Sequence, residues 1–397
     1  MGADFSKVRS NPLLDYAGVE LKQGAVLLDA DANELVAILD RRLRALAGDV
    51  LGRATVGANT PDAFRIALGN TASGARTLSI GPGRLYVDGL LAENHGNVDP
   101  AGRVFDPLMA EPCFSAPVPY ESQPYLPDPP ALPEAGRHLV YLDVWHREVT
   151  HVEQPDLVET AVGVETSSRL QTVWQVRVLA DEAGAGTTCD SPDAELAGWA
   201  DLIAPSTGRL STGTYEVAAV TDPCELPPEG GYRGLENQLY RVEIHDAGQP
   251  GGAATFKWSR DNASVQTRVS ACVSASELQV DSLGRDEVLR INSGDWVEIL
   301  DDTREFAQRP GEIRKATVIA GKDRHIALNA PLPADMLPAS FPDGTFPRQR
   351  NLRVRLWNQR GKVLSTAGNG ATAVFQDLDD AASTGVIEVP AAGTTLL

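Results

Sequence analysis

At 397 residues the chain is longer than a single hydrophobic core usually organises, and its 42% hydrophobic content is that of folded rather than disordered protein. The 54 acidic against 35 basic side chains give a formal charge of -19, which repels phosphate backbones and anionic headgroups and argues against nucleic acid or a membrane surface as partner. No window approaches the ~20 apolar residues of a membrane span, so no membrane insertion is expected. With 36 glycines, 27 prolines and 6% aromatics, the composition suits short strands joined by many turns.

The only long helical pattern runs from Leu27 to Leu51, where Leu35, Ile38, Leu39, Arg42, Leu43, Leu46 and Val50 recur at three- and four-residue steps. Asp29, Asp31 and Asn33 precede the periodic residues and are expected to cap the helix, and Gly48 and Gly52 mark its end. Asp29-x-Asp31-x-Asn33 also resembles the start of a calcium loop, but Glu34 stands where such a loop needs glycine. The apolar stripe needs a cover, and Leu35, Leu39, Leu43 and Leu46 are the candidate docking residues. No heptad seam is legible, so symmetry stays open.

Leu78 to Ile80, Gly81-Pro82-Gly83 and Arg84 to Gly89 read as strand, turn and strand. Eight prolines between 112 and 133 suggest a stiff extended connector. Beyond it, Val140, Leu142 and Val144 alternate with Tyr141, Asp143 and Trp145, and Gln171 to Leu179 repeats the alternation, predicting two strands of one sheet. Residues 180–234 read as a long insertion with a short helix near Ala194 to Ile203. The sheet resumes at Gln238 to His245, and a turn through Gly248 to Gly252 leads to Thr255 to Ser259. From Leu278 onward short strands and tight turns predict a small antiparallel barrel or sandwich, and after a Pro-rich link from Pro331 to Pro347 one more strand spans Leu352 to Trp357. The apolar run from Val386 lacks a natural ending, and a further strand is expected beyond it.

The expected fold is therefore mainly β, several small antiparallel domains of sandwich or barrel type with one N-terminal amphipathic helix. Its divisions are 1–60 (docking segment and helix), 61–111 (β unit), 112–136 (linker), 137–270 (β domain with the insertion 180–234), 271–347 (small barrel) and 348–397 (C-terminal β segment). Cys113, Cys189, Cys224 and Cys272 form no metal-binding spacing; buried thiols are the plain reading, and a bridge between Cys189 and Cys224 is the alternative.

Three clusters invite a functional reading. His146, His151 and Glu153 are spaced for ordinary cross-strand pairing rather than for three metal ligands, and Asp301-Asp302 fits turn chemistry. Along the predicted hairpin, Tyr232, Glu236, Glu243, His245, Lys257, Trp258, Arg260 and Asp261 could line a polar groove for a sugar, a peptide or a partner. Of these, Tyr232, Glu243, His245, Lys257, Trp258 and Arg260 are the candidate ligand or partner surface, while surface ion pairing is the plainer reading of the charges. A glycosidase would need an opposed carboxylate pair, such as Glu236 and Glu243. The motifs G-x-S-x-G, G-x-x-x-x-G-K-[ST], H-E-x-x-H and G-x-G-x-x-G are absent, so the expectation is a protein that is not an enzyme, with no catalytic residue, metal or cofactor.

Several phrases resemble a bacterial family of uncharacterised proteins that carries a domain of unknown function and accompanies phage-tail-like and contractile injection genes. They are DYAGVELKQGAVLLDADANE (Asp15 to Glu34), IGPGRLYVDGLLAEN (Ile80 to Asn94), YLDVWHREVTHVEQPDL (Tyr141 to Leu157), TVWQVRVL (Thr172 to Leu179), GYRGLENQLYRVEIHDAG (Gly231 to Gly248) and FKWSRDNASV (Phe256 to Val265). The resemblance implies a baseplate, fibre or other accessory subunit, homo-oligomeric and partnered by other subunits of a tail-like particle. The N-terminus MGADFSKVRS has no apolar h-region, so no signal peptide is expected; the expected place of assembly is the bacterial cytoplasm, and the final location the tail-like particle, inside the cell or released from it.

Overall fold

The computed structural model describes residues 3, 5, 6, 9–70, 74–96, 116–179, 187–196, 198–213, 239–284, 286, 287, 290–366 and 372–397. The chain divides into two compact units, one formed by Arg9–Arg147 and Leu170–Arg209, the other by Met1–Val8, Glu148–Arg169 and Leu210–Leu397. The fold is mainly β, with several small antiparallel sheets, a closed six-stranded barrel and an N-terminal helix.

In the first unit, helix α1 (Asp29–Leu51) begins after extended Leu28, which offers no side-chain cap. Asp29 and Asp31 lie inside the first turn, where their charge favours the helix dipole, and the caps expected from Asp29, Asp31 and Asn33 do not form because the helix starts at Asp29 itself. The Asp29 carboxylate accepts from the adjacent Ala30 N–H at 2.9 Å. Gly52, at φ +76°, closes the helix with its N–H on the Gly48 carbonyl, as a residue free to enter the left-handed region can.

Strands β1 (Ala54–Val56), β2 (Ile66–Asn70), β3 (Arg76–Ile80), β4 (Gly83–Val87), β5 (Leu90–Asn94) and β6 (Val118–Pro119) follow. They make two three-stranded sheets, β1-β4-β5 and β2-β3-β6. Gly81-Pro82-Gly83 therefore carries the chain from one sheet to the other. Consecutive strands pair as β2–β3 and as the tight hairpin β4–β5, whose two turn residues Asp88 and Gly89 both have positive φ, as a type I′ turn requires.

The Pro-rich stretch is packed where it is described and does not run as a free connector. Val118, Tyr120, Gln123 and Leu126 are buried, and Gln123 is bonded to Val176 through both its amide atoms: Nε2 donates to the carbonyl at 3.0 Å and Oε1 accepts from the N–H at 2.7 Å. Strand β7 (Leu139–Val149) pairs with the later strand 169–179, as alternation in the sequence suggested. Between them β8 (Val158–Glu159) and β9 (Val164–Glu165) form a small ladder of the second unit, and the later strand is β10 (Arg169–Leu179). Trp174 on β10 centres the first core: Phe64 and Tyr125 meet it edge-on, and its indole N–H donates to the Glu93 carbonyl at 2.8 Å. Helix α2 (Trp199–Ile203) supplies the short helix expected near Ala194 to Ile203.

The second unit continues with β11 (Arg241–Ile244) and β12 (Thr255–Ser259), the antiparallel hairpin expected there, which does not resume the β7–β10 sheet as expected but takes Ile387–Glu388 as its third strand. Next come β13 (Gln266–Ser274), β14 (Glu277–Val280), β15 (Trp296–Leu300), α3 (Asp302–Phe306), β16 (Glu312–Val318), β17 (His325–Leu328), α4 (Phe346–Gln349) and β18 (Arg353–Trp357). Strands β13-β14-β17-β16-β15-β18 close the barrel around Val269, Leu278, Val297, Ile299, Ile326 and Val354. It thus runs beyond the expected 271–347 span at both ends. The second Pro-rich link also packs, since Leu332 and Met336 are buried in this core. The chain goes on through β19 (Lys362–Thr366), β20 (Thr372–Asp377), β21 (Ile387–Glu388) and β22 (Thr395–Leu396), which form the sheets β11-β12-β21 and β20-β19-β22.

Candidate functional site

The β11–β12 register sorts the candidate surface by the two-residue period of a strand. Glu243 lies opposite Lys257, and Val242 opposite Trp258, so the acid and the lysine share one face and the tryptophan points to the other. His245 follows Glu243 on the first face by the same period. Tyr232 and Glu236 lie outside the described residues.

On the first face Lys257 is fully buried. Its ammonium donates to Glu298 Oε1 at 2.5 Å and lies 3.0 Å from Glu243 Oε1. Glu298, from barrel strand β15, also accepts from the Gly311 N–H at 2.9 Å and from the Trp357 indole N–H at 2.9 Å. Lys257 Nζ and the Arg241 guanidinium lie 4.7 Å and 5.4 Å from the centre of the Trp357 ring, and Arg241 pairs with Glu243. Beside this network an open cleft of about 400 Å³ is bordered by Arg241, Glu243, His245, Glu298, Glu305 and Arg355.

Burial pushes the Glu298 carboxyl up, but Lys257 and Arg355 outweigh it and hold it down at about 2. Burial likewise opposes ionisation of Glu243, and Lys257 with Arg241 again reverses the outcome, lowering its pKa. Burial first and then the Lys257 charge lower the pKa of His245, which favours neutral imidazole. Both carboxylates are thereby held ionised around one ammonium. The arrangement fixes the β11-β12-β21 sheet onto the barrel with charge-assisted hydrogen bonds.

Trp258, on the other face, stacks with exposed Tyr240 at 6.4 Å between ring centres and 12° between planes, and packs against Val363, Leu378 and Ile387. Arg260 is exposed; its N–H donates to Asn358 Oδ1 at 3.0 Å, and its guanidinium lies 3.6 Å from Asp261. The structure therefore gathers Glu243, His245 and Lys257, and sets Trp258 apart from them.

The other clusters have structural partners. His151 Nδ1 lies 2.8 Å from Glu165, and Glu153 accepts from Thr150 and pairs with Arg353. Asp301 caps α3 through the Arg304 N–H and pairs with Arg350, while Asp302 pairs with Arg353. Among the described residues no group of three or more His, Cys, Asp or Glu could hold a metal ion, and no helix is long and apolar enough to cross a membrane. Cys189 is exposed and unbridged, Cys272 is buried, and Cys113 and Cys224 lie outside the described residues.

Sequence reasoning missed Glu298, Arg353 and Arg355. The pairings Trp296–Trp357, Glu298–Arg355 and Leu300–Arg353 put them on the row of β15 and β18 opposite the core-facing Val297, Ile299 and Val354. The available signal was tryptophan at Trp296 and Trp357 in the same alternating rows.

The docking stripe of α1 is open. Val36 (64%), Leu39 (49%), Leu43 (65%), Leu46 (61%) and Val50 (71%) are exposed, Leu35 is half-buried, and only Ala30 and Ile38 are buried. The segment around Pro12 and Tyr16 lies along Glu34, Ile38 and Arg41. The β4–β5 turn meets the helix backbone at Arg44, where a Cβ on Gly89 would come within 2.5 Å of the Arg44 carbonyl oxygen.

A family of unknown function, DUF6519, matches residues 1–207 and 207–381 of the chain. No curated protein and no solved structure matches it.

Proposed function

The chain belongs to DUF6519, and we propose that it is a non-enzymatic structural subunit of a contractile phage-tail-like particle, a baseplate, fibre or accessory component that docks through α1. The observation that carries the docking role is the open apolar stripe of Val36, Leu39, Leu43, Leu46 and Val50. A contiguous apolar patch that no described residue covers is characteristic of an interaction surface. The tail-like setting rests on the resemblance of the sequence phrases to proteins that accompany such genes. The test is incorporation: a Leu39→Asp/Leu43→Asp/Leu46→Asp chain should be missing from purified particles, and incorporation at the level of the unaltered chain refutes the docking role.

A second reading, a carbohydrate- or cell-surface-binding module, draws on the stacked pair of Tyr240 and Trp258, whose exposed member offers a flat aromatic face. Glycan-array binding that disappears on Tyr240→Ala supports it, and equal binding by that variant rejects it.

A further inference from the structure

We infer that the open stripe of α1 is the seam of an antiparallel pair made with α1 of a second copy of this chain; the inference rests on the docking role proposed above and names its partner. The exposed positions 36, 39, 43, 46 and 50 advance by three, four, three and four residues, a two-heptad spacing that emerges only once burial removes Ile38 from the stripe and exposure adds Val36, and that lets side chains of one helix seat between those of another. This row lies nearly opposite the Glu34, Ile38 and Arg41 face on the helical wheel, the face that the Pro12–Tyr16 segment covers. Among the described residues, the packing of the helix thus leaves exposed the row suited to a helical partner.

The partner's identity follows from charge. Five acids (Asp29, Asp31, Glu34, Asp40 and Asp49) against three arginines (Arg41, Arg42 and Arg44) make the helix unlike one that lies on an anionic membrane, whose polar face is basic. Arg42 and Asp49 immediately precede seam residues Leu43 and Val50, lie seven residues apart on one edge of the seam, and make no ion pair among the described residues. Asp40 is engaged by Arg44 of the same helix at 3.8 Å.

In an antiparallel pair with Leu43 against Leu46 and Leu39 against Val50, this edge of each copy runs beside the same edge of the other. Arg42 then faces Asp49, and two-fold symmetry makes the contact twice. A parallel pair instead sets Arg42 near Ala47 and leaves both charges unmatched. The five side chains offer on the order of 400 Å² of apolar surface per copy. That lies below a standard interface of about 800 Å² per partner, so the pair is weak and reversible and is reinforced where many copies gather.

Sedimentation velocity of the purified full chain over a concentration series to about 1 mM tests this. The expected result is a reversible monomer–dimer equilibrium, weakened at least about fivefold by Arg42→Asp or Asp49→Arg alone and recovered in an equimolar mixture of the two variants. Both substitutions are at exposed helix positions and should leave the helical circular dichroism unchanged. A chain that stays monomeric throughout overturns the inference, as does a mixture no more associated than either variant alone. If the monomeric chain still enters particles only with its stripe intact, the docking role stands and the second copy is the wrong partner.

Discussion

Replacing Lys257 with methionine tests whether the buried ionic network fastens the β11-β12-β21 sheet to the barrel. Met fills a similar volume but takes the ammonium away from Glu298, 1% exposed, which keeps the Gly311 and Trp357 donors and the charge of Arg355, and away from Glu243, which keeps Arg241. Removing one partner of a buried pair costs about 3–5 kcal/mol, because the remaining charge is left uncompensated, whereas removing both together is often near neutral. Thermal unfolding of the full chain, followed by calorimetry, should show the transition of the barrel-containing unit lowered by roughly 10 °C in Lys257→Met. Most of that loss should return in Lys257→Met/Glu298→Leu.

The pH dependence supplies an independent sign. In the unaltered chain Glu298 falls from an ordinary 4.5 to about 2, so its stabilisation is complete above about pH 5 and is lost as pH drops toward 2. Without Lys257 the carboxyl loses the first of the charges that hold it down, so Lys257→Met should lose less stability than the unaltered chain as pH falls from about 5 to 2. A cost below about 1 kcal/mol, or a double variant no more stable than the single, would refute the reasoning.

Gln123→Ala removes both hydrogen bonds to Val176 inside the first core and should destabilise that unit by about 2–3 kcal/mol, read as a lower denaturant midpoint for its transition. Gly385→Ala places a Cβ at φ +79° within 2.2 Å of the buried Trp296 ring, so a loss of about 2 kcal/mol or more is expected by thermal unfolding, and an unchanged transition would show that the ring can move. Burial and the nearby Asp343 push the Cys272 thiol up to about 11, so iodoacetamide at about pH 8 followed by peptide mapping should label exposed Cys189 and leave Cys272 unmodified until the chain is denatured.

What was legible in the sequence was local. Alternation at Val140, Leu142 and Val144, and again on β10 and β11, marked strands, and three- and four-residue steps marked α1. Which sheet each strand joins depends on contacts far apart in the chain. Leu78 to Ile80 and Arg84 to Val87 are near neighbours in sequence yet enter different sheets, while Gln266 and Arg355, far apart in sequence, pair on the adjacent strands that close the barrel. The prolines misled for a related reason. A proline restricts φ and removes a donor, which limits secondary structure but says nothing of burial, so the stretches around Tyr120 and Met336 could lose regular structure and still pack into cores.

The two candidate surfaces were blurred by the same missing quantity, the identity of the layer that covers each face. Charged residues alternating with apolar ones in Trp-Val-Glu-Ile-Leu and Arg-Val-Arg-Leu-Trp read as a solvated strand face, but a solvated face has little use for the two tryptophans in the same rows. Those tryptophans are the mark of a covered row, and once it is covered its charges must be paired, as Glu298 is with Lys257 and Arg353 is with Asp302. On α1 the inference runs the other way. Leu35, Ile38, Leu39, Leu43, Leu46 and Val50 form one broad stripe in sequence, and only the burial of Ile38 beneath the preceding segment narrows the free surface to the row through Val36, Leu39, Leu43, Leu46 and Val50. A stripe wider than its own domain covers is thereby resolved into a face that folds the unit and a face left for a partner.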